Sequence, residues 1–313
     1  MKSTLINTVH LEGLLYEHKL EAKVSGPNSK TPGTPFISGT ISIATDEDCL
    51  NVVPVHYTYV TEKTFKGNIN PAYTTLKNIC DGVLKSVMGD GKEKATKLRV
   101  DSSIGLNEFF SNRTGQEELV SVKRNEGGFV HVADTLAEKE TTRNRFDCDI
   151  IITGARRVEA NEEKNIPEKV IVKGAIFDFR KALLPVELTA IHPGAMDYFK
   201  GLEASEKNPV FTKVWGRQVS ETTVREIEEE SAFGEPTVKE VRSSYKDYII
   251  TAANPVPYEW GDTSTFTNEE LMKAISDRNT YVATIKQRQD EYNQSKAAAN
   301  ANVSAPAAGE FKF

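Results

Sequence analysis

The chain has 313 residues, of which 38% are hydrophobic and 27% charged, and its formal net charge at pH 7 is −6. At roughly 100–200 residues per domain this length favours two domains, and the composition excludes a disordered chain. The absence of an apolar run of about 18 residues excludes a transmembrane helix. The N-terminus lacks the features of a secretory signal, so we expect a cytoplasmic protein, in the host cytoplasm if it is viral.

Residues that could support catalysis are scattered. The cysteines Cys49, Cys80 and Cys148 are odd in number and far apart, so they predict no disulfide framework. The five histidines occur singly, and neither a metal-ligand spacing nor a phosphate-binding glycine loop is present. The sequence therefore predicts no catalytic residue, no metal and no cofactor, and it favours a protein that is not an enzyme.

The negative charge is concentrated in one segment. Seven glutamates and two cations lie between Glu221 and Glu240, so the rest of the chain is almost neutral. A net negative charge argues against a nucleic-acid partner, but a nearly neutral body can carry a local basic groove. The run Glu226–Glu230 is either a solvated acidic surface or an acidic metal site.

Apolar periodicity predicts the secondary structure of the first half. Phe36–Ile43 alternates with period two, which predicts a half-buried strand with Ile37, Ile41 and Ile43 on its inner face. The elements expected around it are a second strand at 52–60, a helix over 71–87 and strands at 97–101, 118–123 and 128–132.

The same order of elements recurs in the second half, with strands at 170–179 and 183–191, a helix at 195–204 and a strand at 209–215. Gly39 and Gly174 lie within corresponding strands, where a glycine permits the bulge that curls a small sheet into a barrel. This order is compatible with the oligonucleotide/oligosaccharide-binding (OB) barrel, whose helix lies between its third and fourth strands. We predict a mainly β fold with some α, built from two OB-like barrels in tandem at 1–160 and 161–265.

The C-terminal region has a different composition. Thr267 and Glu270 form a capping box that opens a predicted amphipathic helix over 266–295. Residues 296–313 are rich in alanine and predict a flexible tail that ends in Phe313.

Binding of a single nucleic-acid strand requires cations for the phosphates and aromatic rings on which bases stack. Lys213, Trp215 and Arg217 alternate along one strand and are predicted to share a face. Phe177 and Phe179 are predicted to share the outer face of their strand with Lys173. Core packing is the alternative for each ring. The complete set of candidate nucleic-acid-binding residues is Lys97, Arg99, Lys123, Arg124, Phe129, Lys173, Phe177, Phe179, Arg180, Lys181, Lys213, Trp215 and Arg217.

The end of the chain carries a family resemblance. The linker 297–309 and the tip Glu310, Phe311 and Phe313 resemble the C-terminal region of phage and bacterial single-stranded-DNA-binding proteins. The resemblance implies OB barrels and a non-catalytic, single-stranded-DNA-binding function in phage replication or recombination. It also implies that the tip recruits replication or recombination proteins.

Two other functions remain as alternatives. A structural or assembly protein of a virion or scaffold would use its β-domains as packing surfaces and its terminal phenylalanines for docking. A metal-dependent enzyme would use the acidic site at Glu226–Glu230. The sequence leaves open the choice between DNA and RNA and whether the chain forms a homo-oligomer.

Overall fold

The computed structural model describes residues 5–113, 115–160, 167–229, 237–260 and 267–301, with the backbone alone for 221–229, 237–244 and 297–301. The described part is mainly β, as the sequence predicts, and its ten strands are connected in one sheet. Among the described helices, none is both long and apolar enough to cross a membrane.

The first five strands close a barrel, which we call barrel 1. Neighbouring strands pair in the order β1-β2-β3-β5-β4 and back to β1, and only the β3–β5 pairing is parallel. Helix α1 lies between β3 and β4, which is the OB arrangement. The bounds are β1 (Asn7–Val24), β2 (Pro35–Ala44), β3 (Val52–Thr61), α1 (Pro71–Cys80), α2 (Val87–Asp90), β4 (Lys97–Ser111) and β5 (Glu118–Val132).

The next five strands form barrel 2 with the same topology. The order is β6-β7-β8-β10-β9 and back to β6, and the β8–β10 pairing is again the parallel one. Helix α4 occupies the position that α1 has in barrel 1, so the predicted recurrence of elements is confirmed. The bounds are α3 (Glu140–Arg143), β6 (Asn144–Val158), β7 (Lys169–Phe177), β8 (Leu183–Ala190), α4 (Pro193–Gly201), β9 (Val210–Glu229) and β10 (Thr237–Ala253).

Strand pairing places the boundary between the barrels earlier than residue 160. Strand β6 lies within the predicted first domain, but it pairs with β7 and β9 and thereby closes barrel 2. The two barrels therefore divide in the segment 133–143. The apolar pattern of β6 alone does not identify its partners in barrel 2, because the most distant of them lies about 70 residues away in the sequence.

The inner and outer faces of β2 follow from its sequence. Ile37, Ile41 and Ile43 are fully buried in the barrel core, as their alternation predicts. Gly39 has φ +130°, and a Cβ there would lie 2.0 Å from the backbone oxygen of Lys19. Only glycine fits this position, where the β2–β3 register shifts and the strand bends.

The two barrels share a seam and a hydrophobic core. Residues 7–11 of β1 pair with residues 144–148 of β6, and this pairing joins the strands of the two barrels into one sheet. The core side chains on either side of this seam, such as Val9 and Phe146, are fully buried. A buried amide network connects the barrels nearby, since Asn125 and Gln218 exchange hydrogen bonds of 2.7 and 2.8 Å. Tyr248 donates a further bond of 2.9 Å to Asn125.

Helix α5 (Asn268–Ala301) packs against both barrels. The predicted capping box is present, because the backbone N–H of Glu270 donates to the Thr267 hydroxyl at 3.2 Å and its carboxylate accepts from the Thr267 N–H at 3.0 Å. The helix continues past the predicted end at 295, consistent with the high helix propensity of alanine. The tip Glu310, Phe311 and Phe313 lies outside the described residues.

Candidate nucleic-acid interface

A row of side chains crosses the outside of both barrels. Asp101 of β4 lies opposite Phe129 of β5 on one side and His10 of β1 on the other. His10 lies opposite Arg145 of β6, and the register between β6 and β9 continues the row to Arg217. Neighbouring strands are about 4.8 Å apart, so the row spans roughly 19 Å. An aromatic ring in barrel 1 and a guanidinium in barrel 2 thus lie on the same face.

A second row runs beside the first. Thr8 of β1 lies opposite Asp147 of β6, and Asp147 lies opposite Trp215 of β9. Because direct cross-strand partners point to the same side of a sheet, these residues share the outer face of the first row. We call the two rows together the seam face, and its members are Thr8, His10, Asp101, Phe129, Arg145, Asp147, Trp215 and Arg217.

A cleft of about 1350 Å³ opens at the barrel 1 end of the seam face. Strands β3, β4 and β5, the turn between β7 and β8, and helix α5 form its walls. Four exposed rings line it, and we call it the aromatic cleft: Tyr59, Phe129, Phe179 and Tyr281. The guanidinium of Arg180 lies 5.0 Å from the centre of the Phe179 ring. The cleft combines several accessible rings with a cation.

A smaller cleft of about 410 Å³ lies at the barrel 2 end, and we call it the cationic cleft. Arg145, His192, Trp215 and Arg217 are among its lining residues. The half-buried Trp215 has the ammonium group of Lys213 5.9 Å from its ring centre. Since His10 lines the aromatic cleft and its cross-strand partner Arg145 lines the cationic cleft, the two clefts adjoin at the seam.

The predicted shared face of Lys213, Trp215 and Arg217 is present on β9. These three residues alternate with Val214 and Gly216, which are buried. Lys213 forms an ion pair of 3.3 Å with Asp147. Arg217 is exposed and forms no ion pair among the described residues, so its guanidinium is available to a phosphate.

Asp147 neutralises two cations of the seam. Its carboxylate accepts two hydrogen bonds of 2.7 Å from Arg145 in addition to its ion pair with Lys213. Burial raises the pKa of Asp147, but the hydrogen bonds and charges of Arg145 and Lys213 outweigh burial and lower it below the usual value. The aspartate therefore stays ionised and competes with any phosphate for these two side chains.

In barrel 1, Glu12 is a carboxylate that pairs with a cation, as Asp147 does in barrel 2. It is 4% exposed and accepts hydrogen bonds of 2.8 Å from Arg99 and from the backbone of Ala137. His10 lies 3.0 Å from Glu12 and 2.6 Å from Asp101. Burial raises the pKa of Glu12, but the hydrogen bonds from Ala137, His10 and Arg99 outweigh it and lower the pKa. The candidate Arg99 is thus paired with a carboxylate, although its side chain remains about half exposed.

Several other predicted cations contact the protein itself. The Lys123 ammonium group lies 3.4 Å from Asp247 and 5.4 Å from the centre of the Tyr248 ring, so it links the two barrels. Arg124 pairs with Glu126 at 2.7 Å. The exposed Lys97 donates a hydrogen bond of 3.3 Å to the backbone oxygen of Asp134. Lys173 and Lys181 pair with Glu206 at 3.4 Å and Glu270 at 2.9 Å.

Phe177 is a correction to the predicted set. It lies on the outer face of β7, as expected, but it is only 1% exposed. It is part of a small hydrophobic cluster with Phe211 and Ala274, and Leu271 packs against that cluster. Two of these residues belong to α5, which covers this part of barrel 2. The predicted stacking role of Phe177 is therefore wrong, whereas Phe179, which follows the end of β7, is 83% exposed.

Other residues of the interface were absent from the predicted set. His10, Arg145, Tyr59 and Tyr281 line the two clefts, and Tyr281 comes from α5, far away in the sequence. A local signal exists for Arg145, because Arg145, Asp147 and Asp149 alternate with buried residues along β6. Tyr281 lines the aromatic cleft because α5 packs against barrel 1. A helical pattern in the sequence does not predict where the helix packs.

Metal binding is the alternative use of the acidic residues. Within the described ranges, no group of three or more histidine, cysteine, aspartate or glutamate residues has the arrangement of a metal site. The side chains of the run Glu226–Glu230 lie outside the described ones, so this alternative is not tested.

No curated protein has a significantly similar sequence. The wild-type single-stranded DNA binding protein from Thermus aquaticus superposes with a TM-score of 0.46 at 11% identity, over 82% of this chain and 96% of that one. A deletion mutant of the same protein superposes with a TM-score of 0.43 at 10% identity, over 83% and 98%. The family model named YorF matches residues 6–288, and the chain belongs to the YorF family.

Proposed function

We propose that the chain binds single-stranded DNA along the seam face, with bases stacked in the aromatic cleft and on Trp215. The observation that carries this proposal is the row from Phe129 to Arg217, in which an exposed ring of barrel 1 and two guanidinium groups of barrel 2 lie on one face of a continuous sheet. A strand that follows this row passes from one cleft to the other without leaving the surface.

Rings rather than charges would provide most of the binding free energy. Stacking of a base on an aromatic side chain contributes roughly 1–3 kcal/mol. Arg99 and Arg145 are already paired with carboxylates, so a phosphate gains less from them than from Arg217, which has no ion pair within the described part of the chain. For single strands, each phosphate neutralised contributes about −0.7 to the salt slope, which is the change of log affinity with log salt concentration. Because most of these cations are already paired, few phosphates would be neutralised, and we expect affinity to depend only weakly on salt.

Fluorescence anisotropy with labelled oligo(dT) tests the proposal. We expect wild-type protein to bind this probe and to bind duplex DNA much more weakly, because paired bases cannot stack on the rings. Phe129→Ala and Trp215→Ala should each weaken binding about 5- to 100-fold, the equivalent of one lost stacking contact.

Phe65→Ala is the matched control. Phe65 is a fully exposed phenylalanine in the connection between β3 and α1 and lines neither cleft. Its removal should leave the affinity unchanged. The proposal fails if wild-type protein does not bind oligo(dT) at low salt, or if Phe65→Ala weakens binding as much as Phe129→Ala. The same titration with oligo(U) separates DNA from RNA.

We further propose that this binding serves DNA replication or recombination of a phage in the host cytoplasm. Contacts through rings and phosphates are tolerant of sequence, which suits a protein that coats exposed single strands. The test is stimulation of strand annealing or of a polymerase on a single-stranded template. A lack of effect at saturating protein would contradict this role but not DNA binding itself.

Recruitment of partner proteins through Glu310, Phe311 and Phe313, and self-association, belong to the same proposal. Light scattering with and without oligo(dT) measures the assembly state. A large assembly that forms without DNA would favour the alternative of a structural protein.

A further inference from the structure

The last two strands of each barrel continue past the barrel wall as a two-stranded hairpin. Among the described strands, β4 and β5 of barrel 1 pair only with each other over 105–111 and 118–124, which we call hairpin 1. In barrel 2, β9 and β10 do the same over 218–229 and 237–248, which we call hairpin 2. At about 3.3 Å per residue, each strand of hairpin 2 extends roughly 40 Å.

Helix α5 supports hairpin 1. Arg278 of α5 forms a buried ion pair with Glu108 of β4. The side-chain amide of Gln289 accepts a hydrogen bond of 2.9 Å from the backbone N–H of Phe110 and donates one of 2.6 Å to its backbone oxygen. In this way α5 satisfies backbone groups of β4 at a position that β1 does not reach.

Hairpin 2 has open edges over most of its length. At its base, the side-chain amide of Asn51 donates to the backbone oxygen of Gln218 at 3.1 Å and accepts from the N–H of Ser220 at 2.7 Å. Beyond these residues, no third strand pairs with either edge within the described part of the chain. A two-stranded hairpin is at best marginally stable in water, and an open edge is a template for another strand. A third strand would therefore stabilise hairpin 2.

The charges of hairpin 2 favour the β10 edge as the place for this strand. Between Glu221 and Glu229, β9 carries four glutamates and one arginine, so two β9 edges would repel each other. Between Thr237 and Lys246, β10 carries three cations and one glutamate. A polynucleotide is disfavoured as the partner, because seven glutamates and only two cations lie between residues 221 and 240.

Two copies of β10 are complementary to each other about Val241. In an antiparallel pairing with a two-fold axis at Val241, Glu240 of each copy lies opposite Arg242 of the other. Within one chain, Glu240 lies opposite Glu226. Like charges directly opposite each other are destabilising, so the second copy supplies the opposite charge that this position favours.

We propose that hairpin 2 is the dimerisation surface of this chain, with the β10 strands of two copies paired about Val241 into a four-stranded antiparallel sheet. A two-fold contact closes on itself, and it leaves β9 on both outer edges, where the glutamates oppose further growth. This surface rests on the self-association proposed above, and it needs no DNA to form.

Charge exchange tests the pairing by analytical ultracentrifugation without DNA. We expect the wild-type chain to form a dimer. Glu240→Arg and Arg242→Glu each place two pairs of like charges across the axis and should raise the dissociation constant of the dimer about 10- to 100-fold. The double variant should restore the dimer, and so should an equimolar mixture of the two single variants. Arg225→Glu makes the same change on β9 and, as the matched control, should leave the dimer unchanged.

A cross-link tests the register. Directly opposed residues have Cα atoms about 4.5–5.5 Å apart, a separation that a disulfide spans. Val241→Cys should therefore form a disulfide-linked dimer under mild oxidation. Thr223→Cys, on β9 of the same hairpin, should not. Circular dichroism checks that each variant is folded.

The outcomes separate this surface from the proposed function. A wild-type chain that is monomeric without DNA, a double variant that does not recover, or an equal weakening by Arg225→Glu would each refute the dimerisation surface. If a monomeric wild-type chain binds oligo(dT), only the dimerisation surface fails. If the dimer forms as described but does not bind oligo(dT), the proposed DNA binding fails and the dimerisation surface stands.

Discussion

In barrel 1, Arg99 pairs with the Glu12 carboxylate and His10 lies against Asp101, whereas barrel 2 leaves one guanidinium, that of Arg217, without an ion pair among the described residues. The two barrels have the same strand order and the same helix position. The aromatic cleft has four exposed rings, of which two come from barrel 1, one from the β7–β8 turn and one from α5, whereas the cationic cleft has the half-buried Trp215. One fold can therefore present two different binding surfaces, because only the outward side chains differ.

Helix α5 forms an ion pair with each barrel, and the two ion pairs differ in how deeply they are buried. Arg278 of α5 forms a two-point ion pair with Glu108 of β4, in which the side chains are only 10% and 1% exposed. Lys181 of the β7–β8 turn pairs with Glu270 of α5, and both side chains are more exposed. The helix is thus fastened mainly to barrel 1, and this contact forms one wall of the aromatic cleft.

The largest expected effect comes from Glu108→Ala. This change leaves the buried Arg278 without its partner, and we expect the free energy of unfolding to fall by roughly 2–4 kcal/mol. Urea denaturation followed by circular dichroism measures it. Lys181→Ala removes the exposed pair and should cost about 1 kcal/mol or less. Equal losses for the two variants would contradict the unequal fastening of α5.

The next effect concerns the junction of the barrels. Asn125→Ala removes the partner of Gln218 and Tyr248 in a buried site, and the unsatisfied groups should cost roughly 2 kcal/mol. Calorimetry should still show one unfolding transition, because the barrels share a core. Two separate transitions in the wild-type protein would show that the barrels unfold independently.

Charge variants of barrel 2 should change DNA affinity in opposite directions. Asp147→Asn releases Arg145 and Lys213 from their common carboxylate, so oligo(dT) affinity should rise by about 1 kcal/mol and the salt slope should steepen. Arg217→Ala removes a cation that has no ion pair with any residue the structure describes, so affinity should fall and the slope should decrease by about 0.7. Anisotropy titrations at several salt concentrations measure both. A loss of affinity in Asp147→Asn would show that this carboxylate orients the cations for binding.

The smallest effect is a difference in pH dependence between Glu12 of barrel 1 and Asp149 of barrel 2. The pKa of Glu12 is lowered, so its contribution to stability is present above about pH 4.5, the ordinary value, and is lost as the pH falls through the lowered pKa. The pKa of Asp149 is raised, mainly by burial, which outweighs its hydrogen bonds from Ile6 and Tyr258. Its contribution therefore increases as the pH falls through the raised pKa.

Unfolding free energies of Glu12→Gln and Asp149→Asn between about pH 3 and pH 7 measure this difference. Relative to wild type, Glu12→Gln should lose less stability on acidification, and Asp149→Asn should lose more. Parallel curves for the two variants would contradict the opposite pKa shifts.

Much of the architecture follows from local pattern. Strand β2 and the corresponding strand β7 were predicted from alternation and a central glycine, because one face of each must be buried in a barrel. Strands β1, β6 and β10 were not assigned. Strand β1 contains a bulge between Leu15 and Glu17 that interrupts the alternation, and β6 has a run of buried residues at 148–152 that alternation does not describe. These two strands form the seam, so the connection between the barrels was not predicted.

The candidate site likewise has one part that the sequence predicted and another that it did not. The shared face of Lys213, Trp215 and Arg217 was predictable, because side-chain direction alternates along any strand. The burial of Phe177 was not, because it depends on where α5 packs.

Local periodicity by itself determined most of the strands and helices and which face of each predicted strand is apolar, since backbone geometry imposes these repeats within a few residues. Only the tertiary structure decided which outward side chains remain exposed, which cations are paired with carboxylates, and that the two clefts adjoin at the β1–β6 seam. The physical reason is that many of these features depend on contacts between residues far apart in the sequence, such as His10 with Asp101, 91 positions apart, and Glu108 with Arg278, 170 positions apart, and no local pattern specifies such a pairing.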